Sequence, residues 1–211
     1  FHLQPVFDLQ TKQPVSMEAL MRWRHPKRGL VSPAEFIPVM EESGMIVPAS
    51  HWILQQTCRY LGAIRREVQQ ELSVAVNFTA HCFYDSGIAD FVKQTLADSG
   101  IEPQSLILEI TESTLFRDPQ RVRPVLNQLK EMGVRIALDD FGTGQSSLSH
   151  LRNFPIDIVK VDRSFLRDFP SQAHDTEIVS AIVAIAHNLG LRVVAEGVET
   201  ERQFTVLHNL Q

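Results

Sequence analysis

Carboxylate, amide and ammonium side chains occur at or near the ends of six predicted strands that follow one another along the chain. All but the first of these groups come directly after a short run of valine, isoleucine, leucine or alanine. Because buried parallel strands end at a common rim, we expect these side chains to converge there. The set comprises Glu18, Asn77, Glu109, Glu112, Asp139, Asp140, Lys160, Asp162 and Glu196.

The composition of this set indicates a cation site. One acid at a strand end is ordinary, since chains become polar where they leave a core, but the seven carboxylates of this set would repel one another if they were left unpaired. Carboxylate and amide oxygens suit Mg²⁺ or Mn²⁺ rather than zinc, and the eight histidines include no HxxxH or HExxH pair. Four acids and one amide exceed what one Mg²⁺ usually takes from protein, which favours two ions bridged by one carboxylate. Two ions ~4 Å apart are a known arrangement for displacement at phosphorus.

Lys160 is the one cation in this predicted set. Near a metal-bound phosphate it could stand close to the attacking water or to the charge that develops on phosphorus. The structural alternative is a salt bridge to Asp162 or Glu196, and the residues alone leave both interpretations open.

The run Arg135–Leu138 predicts a buried strand that ends before Asp139 and Asp140. Adjacent strand residues face opposite sides, so one of these acids should project into a pocket while the other starts the loop. The following Asp140-Phe141-Gly142 spells the kinase DFG sequence, but the other kinase motifs are absent. Gly142-Thr143-Gly144 lacks the flanking residues of a phosphate-binding glycine loop, and we expect a mobile loop there instead.

The remaining chain predicts elements that position these side chains. Leu3–Leu9 and Val15–Trp23 are predicted to be antiparallel strands, because the turn between them is too short for a parallel crossover. A capping-box pair, Ser32 and Glu35, predicts the start of a helix. Five further strands are predicted to alternate with helices, which is typical of a parallel sheet, open or closed into a barrel. These strands are Leu72–Phe78, Ser105–Ile110, Val134–Leu138, Ile156–Val161 and Leu191–Ala195.

Composition narrows the class of protein. The 211 residues predict one domain, and the formal charge of −5 without a basic stripe argues against DNA or RNA binding. Cys58 and Cys82 are far apart without a CxxC spacing, so free buried thiols are expected. No apolar run approaches the ~18 residues of a membrane span. The chain begins at Phe1 rather than methionine, and we expect it to be cut from a longer multidomain signalling protein.

Eight short motifs together resemble the EAL domain family of cyclic-di-GMP phosphodiesterases. They cover essentially the whole chain, 1–211, in the family's order and spacing, which makes the combination specific although each motif is weak alone. They are Gln4-Pro5, Glu18-Ala19-Leu20-Met21-Arg22-Trp23, Phe36-Ile37-Pro38, Val76-Asn77-Phe78-Thr79-Ala80, Leu108-Glu109-Ile110-Thr111-Glu112-Ser113, Asp139-Asp140-Phe141-Gly142-Thr143-Gly144, Val159-Lys160-Val161-Asp162 and Ala195-Glu196-Gly197-Val198-Glu199-Thr200.

The resemblance implies a modified TIM-type (βα)8 barrel with an antiparallel first strand. It also implies that one phosphodiester of cyclic di-GMP is hydrolysed to linear pGpG with two Mg²⁺ or Mn²⁺ ions. In that scheme Lys160 orients and activates the water, and Glu112 holds the Asp140–Ser147 loop. The implied ligands of the first metal are Glu18, Asn77, Glu109 and Asp139, and those of the second are Asp139, Asp140 and Glu196, the last directly or through water.

The implied substrate contacts are Gln4, Leu20, Arg22, Pro38 and Asp162, with Arg22 on a phosphate. Family members commonly dimerise through the helix after the loop, here predicted at Ser146–Leu151, and they often carry further signalling domains. A cytoplasmic location is expected, and the parent protein could be anchored at the inner membrane.

This sequence departs from the family pattern at two places. Gln145 replaces the usual tyrosine, which should alter loop packing or dimer contacts rather than chemistry, and the family's last strand is missing from this chain. The alternatives to a phosphodiesterase are a catalytically silent receptor for cyclic di-GMP and a metal-dependent barrel hydrolase acting on another phosphodiester. The intact set of acids and Lys160 favours the phosphodiesterase.

Overall fold

A computed structural model of the chain describes residues 1–68, 71–85, 87–142, 153–167, 169–171 and 173–210. Its main feature is a seven-stranded sheet in the order β1-β2-β5-β6-β7-β8-β9, and β3 with β4 forms a separate hairpin. The strands are β1 (His2–Phe7), β2 (Pro14–Leu20), β3 (Trp23–His25), β4 (Gly29–Val31), β5 (Ser73–Phe78), β6 (Leu106–Thr111), β7 (Arg135–Phe141), β8 (Ile158–Val161) and β9 (Arg192–Ala195).

The pairing of the strands confirms the predicted architecture. β1 pairs antiparallel with β2, and every later pairing in the large sheet is parallel. The sheet curls into a half-barrel, which is the TIM-like fold with an antiparallel first strand that the sequence predicts.

Helices connect the parallel strands. They are α1 (Pro33–Glu42), α2 (Ile46–Val68), α3 (Ile88–Ser99), α4 (Glu112–Arg117), α5 (Pro119–Glu131), α6 (Ala173–Asn188) and α7 (Glu201–Asn209). Within the described ranges, none of them combines the length and the apolar character needed to cross a bilayer. The predicted helix Ser146–Leu151 lies outside the described residues.

Two local predictions were wrong. The second strand ends at Leu20 rather than Trp23, since the chain turns there and Trp23 opens the β3–β4 hairpin. α1 does begin after Ser32, but the Ser32 side chain makes no capping hydrogen bond. Glu35, its expected partner, forms an ion pair of 2.5 Å with Arg28 instead. A true capping box forms at Thr200, where the side chains and backbone of Thr200 and Gln203 bond reciprocally.

Strand alternation divides the sheet into two faces. One face packs against the helices and carries the main core, which includes Val76, Leu108, Leu138 and Val159. The other face holds a smaller apolar cluster, formed by Ala75, Ile107, Ala137, Ile158 and Val194. Because side chains repeat on one face every second residue, the residues two positions after these lie on that same inner face. They are Asn77, Glu109, Asp139, Lys160 and Glu196.

Close packing of α2 against the end of α3 requires a glycine at position 62. A Cβ atom there would lie 2.9 Å from the backbone oxygen of Ser99 and 3.6 Å from Cγ2 of Ile101. In an open helix Gly→Ala is favourable by up to ~1 kcal/mol, but here a rigid carbonyl opposes it.

We therefore expect Gly62→Ala to lower the free energy of unfolding by about 1–3 kcal/mol, the range for overpacked sites. Urea denaturation measures this, with Gly87→Ala as the control, since a Cβ at Gly87 meets its nearest neighbour at 3.4 Å. A Gly62→Ala variant as stable as the original chain would contradict the close approach.

Both cysteines are free and buried, as the sequence predicts. Cys58 and Cys82 each have no exposed surface. Burial raises the pKa of the Cys58 thiol to about 12 and also raises that of Cys82. At neutral pH both residues therefore remain thiols, the form that reacts poorly with electrophiles.

A disulfide exchange reagent at pH 8 should consequently label neither cysteine in the folded chain and both in concentrated guanidinium chloride. The absorbance of the chromophore that the reagent releases gives the number of labelled cysteines. Rapid labelling of the folded chain would show that one of the two thiols is accessible.

Candidate active site

The Lys160 ammonium lies among four carboxylates that come from four other strands or strand ends. Its Nζ is 2.7 Å from Glu196 Oε1, 2.9 Å from Glu109 Oε2, 3.2 Å from Glu18 Oε2 and 3.3 Å from Asp139 Oδ1. We call these four acids with Lys160 the carboxylate–lysine cluster. The structure thus forms the salt bridge to Glu196 that the residues alone left open, and it adds three further partners.

Burial makes this cluster electrostatically unusual. Lys160 is 3% exposed and Glu109 is 4% exposed. Burial alone would lower the pKa of Lys160, but the carboxylates, Glu109 foremost, raise it above its ordinary value, so the ammonium persists. Burial raises the pKa of Glu109, and Lys160 opposes that rise while Glu18 and Asp139 add to it, which leaves the pKa at about 8. The pKa of Glu196 is also raised, mainly by burial.

Asp139 and Asp140 both lie within β7, so the prediction that the strand ends at Leu138 was wrong. The pairing register with β8 shifts between Leu138 and Phe141, and Asp140 has a φ of 56° in the left-handed region. Regular alternation along β7 places Asp139 Oδ1 beside Lys160, and the turn at Asp140 brings the Asp140 amide within 3.0 Å of the same oxygen. Burial and the charges of Asp139 and Asp162 raise the pKa of Asp140.

Asn77 joins the cluster through Glu18. Its Nδ2 donates to Glu18 Oε1 at 2.9 Å, while the other oxygen of Glu18 faces Lys160. This hydrogen bond holds the Asn77 amide beside Glu18, next to the cluster.

Glu112 and Asp162 lie apart from the Lys160 ammonium. Glu112 begins α4, is 5% exposed, and its buried Oε2 has no hydrogen-bond partner in the part of the chain that the structure describes. Residues 143–147 of the loop it was predicted to hold are outside those ranges. Asp162 caps a short 3₁₀ helix, Arg163–Phe165, and accepts a bond of 2.9 Å from the Ser164 amide. Burial raises the pKa of the Asp162 carboxyl, but its hydrogen bonds outweigh this effect and lower the pKa below its ordinary value.

The predicted substrate contacts are only partly brought together. Gln4 is exposed and sits opposite Glu18 in the β1–β2 register, so the two side chains share a face. Leu20 ends β2, and the Arg22 guanidinium donates to the Met21 carbonyl at 2.9 Å. Pro38 is exposed inside α1. None of these forms an ion pair with the cluster in the described ranges.

Gly197 is a supporting residue to which the sequence assigned no role. It follows Glu196 with a φ of 73°, and a Cβ there would lie 2.9 Å from the Cβ of Arg163. The tight turn that only glycine permits therefore helps to fix the end of β9 where Glu196 projects. The signal that could have identified it is a glycine directly after a strand-end acid.

The donor chemistry of the cluster fits a hard divalent cation. Four carboxyl groups face one ammonium, and even with Glu109 largely protonated at neutral pH, as its pKa of about 8 implies, acidic groups outnumber the single cation. Carboxylate oxygens with an amide oxygen are ligands that Mg²⁺ and Mn²⁺ prefer. In the present arrangement, however, the described residues include no group of three or more acidic, histidine or cysteine side chains with the geometry to hold a metal ion.

Comparison with known proteins gives consistent matches over the full chain. The model of the EAL domain family matches residues 1–211. The bifunctional diguanylate cyclase/cyclic di-GMP phosphodiesterase MucR of Pseudomonas aeruginosa is 42% identical over 99% of this chain and 30% of its own length. The cyclic di-GMP phosphodiesterase NbdA of the same organism is 43% identical over 98% of this chain and 26% of its own length. The chain thus spans about a quarter to a third of these relatives.

Solved structures agree with the sequence matches. The PaMucR phosphodiesterase in its c-di-GMP complex has a TM-score of 0.93 and 42% identity, covering 99% of this chain and 85% of that one. The EAL domain of FimX from Pseudomonas aeruginosa, at 21% identity and a TM-score of 0.89, supports the fold. The family model, the relatives and the curled sheet all lead to one conclusion: the chain belongs to the EAL domain family.

Proposed function

We propose that this domain hydrolyses one phosphodiester bond of cyclic di-GMP, opening the ring to linear pGpG. The observation that carries the proposal is the carboxylate–lysine cluster at the ends of the barrel strands, in a chain whose relatives include named cyclic di-GMP phosphodiesterases. Attack of water on phosphorus would break one P–O bond of the ring. The excess negative charge of the cluster disfavours an anionic substrate on its own, which is why the proposal includes Mg²⁺ or Mn²⁺.

Two divalent ions, when bound, would supply an activated water and neutralise the phosphate charge. In the proposed assignment Glu18, Asn77, Glu109 and Asp139 hold the first ion. Asp139 would also hold the second, together with Asp140 and Glu196.

Lys160 is proposed to orient the attacking water and to stabilise negative charge as it develops. Its burial and its pKa, which the neighbouring carboxylates raise, support the ammonium form at neutral pH. In the present arrangement the same ammonium holds the four carboxylates in proximity.

Substrate contacts are proposed at Gln4, Leu20, Arg22, Pro38 and Asp162, with Arg22 on a phosphate. Gln4 is the best supported of them, because its register places it on the face of Glu18. Glu112 is proposed to hold the loop after Asp140, a role that suits a buried carboxylate oxygen without a partner in the described chain.

The setting of the domain is also a proposal. We propose that it acts as one domain of a longer cytoplasmic or membrane-anchored signalling protein. Homodimerisation through the predicted helix Ser146–Leu151 belongs to the same proposal.

The first test replaces the ammonium. We expect Lys160→Gln to reduce formation of pGpG by about 100-fold or more, since a general acid–base or charge-stabilising group contributes on that scale. Chromatography of cyclic di-GMP incubated with Mg²⁺ or Mn²⁺ measures the product.

The exposed Lys93→Gln variant is the matched control and should retain activity. Unchanged turnover in Lys160→Gln would contradict the role of the lysine. Tight binding of cyclic di-GMP without product in the original chain would instead support the alternative of a silent receptor.

A second test concerns the metal ligands. Loss of a second-sphere partner commonly weakens metal binding 10- to 100-fold, so removing a direct ligand should cost at least about tenfold. We therefore expect Glu18→Gln to weaken Mn²⁺ binding by about this factor or more in calorimetric titration without substrate.

Glu131→Gln, which neutralises an exposed acid at the end of α5, provides the charge-matched control. Equal Mn²⁺ affinity in both variants would contradict the assignment of Glu18 and leave only general electrostatic attraction.

A further inference from the structure

Three arginines lie at the end of the barrel opposite the carboxylate–lysine cluster. Arg135 and Arg192 are the first residues of β7 and β9, and Arg65 lies near the end of α2. The strand residues two positions later, Ala137 and Val194, belong to the inner apolar cluster, so both arginines belong to the inner face. At ~3.3 Å per strand residue, Arg135 begins about 13 Å along β7 from Asp139. We call Arg65, Arg135 and Arg192 the arginine cluster.

Hydrogen bonds fix two of these guanidinium groups. Arg135 Nη2 donates to the hydroxyl of Ser73, the first residue of β5. Arg65 donates from both Nε and Nη2 to the carbonyl of Leu72, the residue directly before Ser73, at 3.1 and 2.8 Å. The two groups are thus anchored at the same edge of the sheet.

The guanidinium of Arg135 has unused hydrogen-bonding capacity. Its Nε is buried and has no acceptor among the residues that the structure describes. An Arg N–H buried without an acceptor is costly, because arginine can neither lose its proton nor accept a bond. Burial, followed by the charges of Arg192 and Arg65, lowers the pKa of Arg135, which agrees with their proximity.

The nearby carboxylate does not neutralise the cluster. Asp157 acts on Arg135 electrostatically, but its Oδ1 binds Lys130 Nζ at 2.5 Å and its Oδ2 accepts from the Ile136 amide at 2.8 Å. Asp157 is thus already paired with Lys130, and no ion pair among the described residues offsets the three positive charges of the arginine cluster, in a chain whose formal charge is −5. Like charges held together in this way favour binding of an anion.

We propose that the arginine cluster binds a small oxyanion of the phosphate or sulfate type. Planar guanidinium groups match the oxygens of such an ion in a bidentate manner, and an oxyanion would accept from Arg135 Nε, which has no acceptor among the described residues. A nucleic-acid strand fits less well, because three arginines form no extended stripe and the whole chain is acidic. The site is separate from the proposed active site and does not depend on its function.

The test is binding of inorganic phosphate to the folded chain without divalent metal, in the presence of a chelator. Thermal unfolding is followed against phosphate concentration at constant ionic strength maintained with chloride. We expect a saturable rise in the unfolding temperature, because a ligand that binds only the folded state stabilises it. In Arg135→Gln, and independently in the exposed Arg192→Gln, the apparent affinity for phosphate should fall about tenfold or more, because each substitution removes a charge-assisted hydrogen bond.

Two controls separate this site from other phosphate contacts. Arg59→Gln removes an exposed arginine from α2 and should leave the phosphate response unchanged. Arg22→Gln removes the proposed phosphate contact of the active site and should also leave it unchanged. Absence of a saturable response, or an equal response in the original chain and in Arg192→Gln, would overturn the proposal. A response lost only in Arg22→Gln would assign phosphate to the active site and would likewise overturn it.

Discussion

The arrangement of the candidate site depends on one buried ammonium. Removing Lys160 from water is costly, and its four carboxylate neighbours are what compensate for that cost. The dependence is mutual, since those acids would otherwise repel one another at the ends of adjacent strands. Breaking a buried pair by deleting one partner typically costs ~3–5 kcal/mol, so this interaction constrains β2, β6, β7, β8 and β9 together. A divalent ion that enters the cluster must therefore compete with, or join, an existing cation.

The polar cluster can exist at this depth because an apolar layer lies directly beneath it. This layer fills the inner face of the sheet two residues before the cluster on each strand, and it consists of Ala75, Ile107, Ala137, Ile158 and Val194. They exclude water from below, so the electrostatic interactions above them act in a medium of lower dielectric constant. The small residues of this layer on β5 and β7 alternate with the larger ones on β6 and β8, so that the side chains fit together on the concave face of the curled sheet.

Much of this arrangement could be predicted from sequence, because it follows from periodicity. A run of apolar residues with polar residues at its end specifies both a buried parallel strand and the position of its functional groups. The antiparallel β1–β2 pair followed from the length of one turn. The strand-end acids could be identified because strands of one parallel sheet share a rim, although their roles as metal ligands stay predictions.

Other features depend on contacts that no local pattern encodes. Asp140 adopts a positive φ inside a strand, and this irregularity turns the chain directly after Asp139 although the local sequence simply reads as a strand end. The expected capping box of α1 does not form, because the Glu35 amide donates to the Ser32 carbonyl rather than to the Ser32 hydroxyl, and the Glu35 side chain pairs with Arg28, seven residues away. Lys160 had two expected partners and the structure gives it four, three of them outside that pair. The same alternation that gathers acids at one end of the strands places Arg135 and Arg192 at the other end. The half-barrel thus carries acids and Lys160 at one end of its strands and arginines at the start of β7 and β9.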